Sequence, residues 1–142
     1  MTEIRKKFPS CGAVIAGAAG DKKEAQLIQQ IIPDALDLTG RTSLIQLAEV
    51  MKKASVVITN DSGPMHVAAL TGTRIYALFG PTLPSLTGPW GEEHKIISSQ
   101  ETGCLGCMKR QCPAPEKHCC HKIDCAGWGA EIGEFLKQQH LS

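Results

Sequence analysis

The sequence has 142 residues, 42% of them apolar and 20% charged, with a net charge of +1 at neutral pH. That length suits a single domain with a real core, and so slight a charge argues against a surface built for nucleic acid or anionic lipid. Aromatic residues, at 4%, are too few for a base-stacking platform, and no apolar run approaches the ~20 residues of a membrane span.

The opening "MTEIRKKFPSCG" carries charges but lacks the apolar core and cleavage site of a signal peptide, so a soluble, cytoplasmic protein is expected. It reads as the tail of a helix running into a strand, as though earlier βα units were missing. Ala13–Gly17 ("AVIAG") predicts a short buried strand. Asp21 is placed to cap "KKEAQLIQQII", where Ala25, Leu27, Ile28, Ile31 and Ile32 recur at helical spacing and Pro33 ends the run. "ALDL" is a second strand. Thr42 or Ser43 caps "LIQLAEVMKKA", with Leu44, Leu47, Ala48 and Met51 on one face and two lysines in the last turn. "VVIT" is a third strand and "PMHVAALTG" a short helix, with Pro64 suited to its first position. "RIYALFG" is a fourth strand and "KIIS" a fifth. Strands alternating with helices over short links predict a parallel sheet with helices on both faces. Expected within one domain over 1–142 are a βα core over 13–100, a Cys-rich loop over 101–126 and a closing amphipathic helix over 127–140.

Gly17, Asp37, Asn60-Asp61 and Gly80 all fall at the ends of apolar strand runs, the ligand-binding edge of an open α/β sheet. The turn "NDSGPMH" is the strongest candidate. A helix starting near Gly63 leaves its first N–H groups unpaired and carries partial positive charge, so a phosphate can be held there without a lysine. Asp61 would repel an anion but can accept hydrogen bonds from sugar hydroxyls or from the helix tip itself. His66, one turn in, can donate to a phosphate oxygen. The plainer alternative is that Asp61 or Ser62 simply caps the helix, and that His66 is an ordinary packed or solvated residue. Ser62 is a poor candidate nucleophile, because G-x-S-x-G is absent.

In "DLTGRTSLIQLAEVMKKASVVITNDSGPMHVAALTGTRIYALFGPT", followed by "LTGPWG", three motifs succeed one another in order. They are L-T-G-x-T-S-L, N-D-S-G-P-M-H and A-L-F-G-P-T. Together they resemble the donor-binding half of glycosyltransferase family 9, the ADP-heptose:lipopolysaccharide heptosyltransferases, over most of the chain from Ala13 to the final helix. The resemblance implies one incomplete half of a GT-B enzyme, two facing Rossmann-like domains with the nucleotide-sugar on the C-terminal one. It implies that Ser62 and Gly63 turn backbone N–H groups toward the ADP diphosphate, that Asp61 meets the heptose hydroxyls, and that His66 supports the same site. Asp37 matches an acidic position that holds the ribose hydroxyls; its other reading is an aspartate bonding to the Thr39-Gly40 backbone at the start of a turn.

Leu83 stands where the family usually has a polar residue, and Arg74 where a proline is typical. The family's transfer is inverting, with a carboxylate base from an N-terminal domain that has no counterpart here. The first βα unit of the donor domain, with its basic residue, is also without counterpart, and Lys22 and Lys23 follow the wrong strand to replace it. These gaps imply that the chain alone binds the donor weakly or not at all and does not transfer sugar, and no catalytic residue is assigned. It also implies an acceptor in the lipopolysaccharide core reached only with the other half, work in the cytoplasm or at the inner face of the inner membrane, and self-association through the face where that half would dock.

Seven cysteines are many for this length, and six lie in Cys104–Cys125. Cys104, Cys107, Cys112 and Cys119 could form a structural zinc site, with His118, Cys120 and His121 alongside, although the spacing is uneven for a zinc ribbon. Reduced loop thiols, or disulfide or cluster chemistry, are the alternatives, and no cofactor is required by the expected chemistry. Lys109, Arg110, Lys117 and Lys122 could face a phosphorylated acceptor or simply be solvated. A competing reading of the whole is a stand-alone nucleotide- or zinc-binding module working through the Cys-rich loop.

Overall fold

The computed structural model describes Phe8 and residues 11–98, 106–109, 111–112, 119 and 123–140. The chain forms two compact units, one from the N-terminal part up to Leu47 together with the residues from Asp124 on, the other from Ala48–Ile123. Each is α/β with a parallel sheet. Among the described residues no helix is long and apolar enough to cross a membrane.

In the first unit, β1 (Val14–Ile15) pairs in parallel with β2 (Leu36–Asp37), Val14 opposite Leu36 and Ile15 opposite Asp37. Backbone bonds from Leu36 N–H to Ala13, Leu38 N–H to Ile15 and Gly40 N–H to Gly17 extend the ladder on both sides. A 3-10 turn over Ala19–Asp21 leads into α1 (Lys22–Ile31). Asp21 does not cap α1. Its carboxylate accepts from Ala18 N–H at 2.7 Å, so it closes the tighter turn that precedes the helix.

The apolar stripe expected on α1 is only partly covered. Ala25 and Ile32 are buried, but Leu27, Ile28 and Ile31 remain exposed. Val14 and Leu36, register partners on one face of the small sheet, are exposed as well. Helix α2 (Leu44–Lys52) begins with a reciprocal cap: Ser43 Oγ accepts from Gln46 N–H at 3.3 Å while Gln46 Oε1 accepts from Ser43 N–H at 2.8 Å. Ser43, not Thr42, is therefore the cap. Leu47 and Met51 are buried, whereas Leu44, expected on the same face, is exposed. The closing helix, α5 (Cys125–His140), buries Ile132 and Leu136, four residues apart.

The second unit holds β3 (Val57–Asn60), β4 (Ile75–Phe79) and β5 (Lys95–Ser98) in the order β3-β4-β5, all parallel. Being central, β4 is apolar throughout, and Ile75, Tyr76, Ala77 and Phe79 are shut from water. Helix α3 (Gly63–Leu70) joins β3 to β4 and lies on both, with Met65 and Ala68 fully buried. Each large apolar side chain so buried contributes about 1.5–3 kcal/mol.

The helix ends at Thr71, and Gly72 takes a left-handed φ of 74°, so the chain can turn back at once into β4. Thr73, buried, seals this corner by donating from Oγ1 to the Met51 carbonyl at 2.8 Å. A short helix, α4 (Pro84–Thr87), lies between β4 and β5. All five expected strands are present.

Candidate functional site

The parallel pairing of β3 with β4 brings Asn60 beside Leu78, so the turn after β3 emerges at the carboxyl edge of the sheet. The Asp61 N–H donates to the Leu78 carbonyl at 3.2 Å, which anchors the turn on the neighbouring strand. Ser62 follows in extended backbone (φ −162°, ψ 168°) as the residue before α3, and the helix opens at Gly63 with Pro64 second rather than first. Pro64 lacks an N–H and thus removes one donor that would otherwise need a partner.

The tip is not capped by a side chain. Ser62 Oγ turns back and donates to the Asn60 carbonyl at 3.2 Å. The Asp61 carboxylate points elsewhere too: its Oδ2 accepts from Thr87 Oγ1 at 2.9 Å, across 26 residues of sequence. The Met65 N–H closes the first turn on the Ser62 carbonyl at 3.1 Å. The N–H groups of Ser62 and Gly63 have no partner among the described residues. Gly63 is exposed, and a Cβ built on it would meet nothing within 4 Å. His66 is exposed one turn on. Asp61, Ser62, Gly63 and His66 thus lie together around an open helix tip carrying partial positive charge.

Thr87 escapes sequence reading. Its one signal is its place in the quoted L-T-G-P-W-G run. It ends α4, whose first turn is tied by Leu86 and Thr87 N–H groups to the Leu83 carbonyl at 3.0 and 3.1 Å. The segment that begins the Cys-rich loop packs on the turn before α4: Met108 N–H donates to the Pro81 carbonyl at 2.8 Å. Gly106 has φ 80°, and a Cβ there would fall 2.4 Å from the Leu83 side chain, so only glycine fits. Leu83, a departure from the expected polar residue, is thereby used in packing.

Asp37, in the other unit, makes the bond of an aspartate at the start of a turn, Oδ1 accepting from Thr39 N–H at 2.8 Å. The Thr39 side chain and this N–H hold the Asp37 carboxyl below the usual carboxylate range; desolvation opposes them, and Arg41 and Lys22 add to the lowering. Of the expected zinc set, Cys107 is exposed, Cys112 half-buried and Cys119 buried, while Cys104 lies outside the described residues. Among the described residues no three His, Cys, Asp or Glu side chains are gathered as for a metal ion. Lys109 is exposed; Arg110, Lys117 and Lys122, and with them His118, Cys120 and His121, lie outside the described residues.

A family model described as glycosyltransferase family 9 (heptosyltransferase) matches residues 10–118. The chain is 30% identical to a lipooligosaccharide heptosyltransferase 2 of Campylobacter jejuni over 148 aligned positions, covering 99% of this chain and 46% of that relative. It is 36% identical to the enzyme of the same name from Haemophilus influenzae over 57% of this chain and 25% of the relative. Among solved structures, the Escherichia coli ADP-heptose lps heptosyltransferase II shares its fold with a TM-score of 0.69 at 23% identity, over 98% of this chain and 41% of that one. A family 9 glycosyl transferase from Veillonella parvula superposes with a TM-score of 0.60 at 28% identity, over 70% of this chain and 29% of that one. The chain spans less than half the length of these relatives.

Proposed function

The chain belongs to glycosyltransferase family 9, with the α/β fold of part of a GT-B heptosyltransferase, and on that footing we propose that it is the nucleotide-sugar-binding half of a lipopolysaccharide core heptosyltransferase. The observation that carries this reading is the open tip of α3, where the Ser62 and Gly63 N–H groups have no partner among the described residues and Gly63 is exposed. Backbone amides at a helix start suit a diphosphate, and Gly63 lets it approach closely. The same amides would stabilise the charge that develops on ADP as it departs from the anomeric carbon. Asp61, with Oδ2 on Thr87, keeps Oδ1 for the sugar hydroxyls of the donor. His66 stands one turn in, where its ring can donate to a phosphate oxygen. For Asp37 the ribose role rests on family likeness alone.

The acceptor and the base that takes its hydroxyl proton belong, in this reading, to a part of the enzyme outside these residues. The chain by itself therefore binds the donor and does not transfer it. Titrating ¹⁵N-labelled protein with ADP and then ADP-heptose tests the binding. Amide shifts centred on Ser62, Gly63 and His66 are expected. Shifts confined to Cys107 and Cys112 would favour a module working through the Cys-rich loop, and no shift at either place refutes nucleotide binding. Incubation with ADP-heptose and a lipopolysaccharide core acceptor should give no product, and measurable transfer by the chain alone would overturn that part.

A further inference from the structure

The two aspartates at the ends of parallel strands, Asp37 closing β2 and Asp61 following β3, meet opposite fates. Asp37 turns its carboxylate onto the N–H two residues ahead, at Thr39. The equivalent bond for Asp61 would go to the Gly63 N–H, and would close the helix tip with a negative charge. Asp61 does not make it, because Thr87 Oγ1 holds its Oδ2 at 2.9 Å.

A threonine hydroxyl in the last turn of a helix ordinarily donates to the carbonyl four residues back. For Thr87 that acceptor is the Leu83 carbonyl at 3.3 Å, which already receives the backbone N–H groups of Leu86 and Thr87. A hydroxyl has one proton to give, and the nearer carboxylate oxygen is the stronger acceptor.

We propose that Thr87 is a positioning residue for the donor site: its hydroxyl holds the Asp61 carboxylate off the Gly63 N–H, leaving that amide open to a diphosphate oxygen and the carboxylate turned toward the sugar. This role rests on the donor-site reading above. It also gives the L-T-G-P-W-G run a task, since α4 brings the Thr87 hydroxyl to a residue far away in sequence.

The test compares Thr87→Val, which keeps the shape and removes the donor, with Thr87→Ser, which keeps the donor. In ligand-free Thr87→Val the Gly63 amide proton should move downfield and exchange more slowly as Asp61 swings onto it, and Thr87→Ser should resemble the parent. By calorimetry Thr87→Val should bind ADP about tenfold more weakly, the worth of one hydrogen bond to a charged group. In an Asp61→Ala background the same substitution should cost nothing, because the intruding carboxylate is gone. An equal loss in both backgrounds would mark a general structural defect and overturn the proposal. So would a Gly63 amide indifferent to Thr87→Val, whatever the protein binds. Parent protein that takes up no ADP refutes the donor site itself, and the amide measurement still decides what Thr87 does to Asp61.

Discussion

Replacing Gly63 by alanine should make the protein more stable and bind nucleotide less well. Gly63 occupies the first position of α3 with helical backbone, and a methyl group on its Cα would meet no atom within 4 Å. Among the described residues nothing requires glycine there. Removing its backbone freedom from the unfolded chain should stabilise by about 0.4–1 kcal/mol, read as a raised urea midpoint with an unchanged slope. The same methyl stands beside the Gly63 N–H, in the space through which a diphosphate must come to lie ~2.9 Å from that nitrogen. Losing one hydrogen bond to a charged group costs about 1.5–3 kcal/mol, so ADP affinity should fall about 10- to 150-fold by calorimetry. Opposite signs in the two assays are the signature of a glycine kept for a ligand. A variant that is more stable yet binds ADP as well as the parent would show that the diphosphate does not approach this tip.

Asp37 should govern part of the acid limb of stability. Its folded carboxyl lies below its ordinary value of 3.8, so its contribution is present above that value and is lost as the pH falls through the lowered one. Asp37→Asn, which keeps an acceptor for the Thr39 N–H, should flatten stability against pH below about 4 in urea titrations. Ser43→Ala removes half of the reciprocal cap of α2 and should cost about 1 kcal/mol in the same assay, while Thr42→Ala should cost little. Thr73→Val strips the Met51 carbonyl of a buried donor and should cost about 1–3 kcal/mol. The proposed donor site needs no metal, so ADP titrations with and without a strong chelator should agree; a chelator-sensitive affinity would bring the Cys-rich loop into the site.

The strands were legible because each apolar run is bounded by turn residues, and β4, central and buried except at half-buried Leu78, reads as unbroken "IYALF". Helical spacing found α1, α2, α3 and α5 for a similar reason. Periodicity says which side chains share a face of a helix, but not whether anything covers that face. Leu27, Ile28 and Ile31 satisfy the pattern on α1 and are nonetheless exposed, as is Leu44 on α2. Helix α4 has four residues, about one turn, too few for any period to show. Asp21 misled because an acidic residue before a helix has two sets of amides within reach, and the 3-10 turn behind it took the carboxylate.

The site divides along the same line between local and distant. Asn60 through His66 are contiguous, so the strand end, the extended Ser62 and the start of the helix could be placed from the motif alone. Whether the tip is open could not. Local chemistry alone favours closure: an aspartate two residues before a free N–H bonds to it by default, as Asp37 does. At Asp61 the carboxylate instead accepts from a hydroxyl 26 residues downstream, delivered by a helix too short to predict. A D-S-G turn in an unrelated sequence is therefore weak grounds for a phosphate site. It becomes strong only where some other part of the chain supplies the donor that keeps the aspartate from capping its own helix.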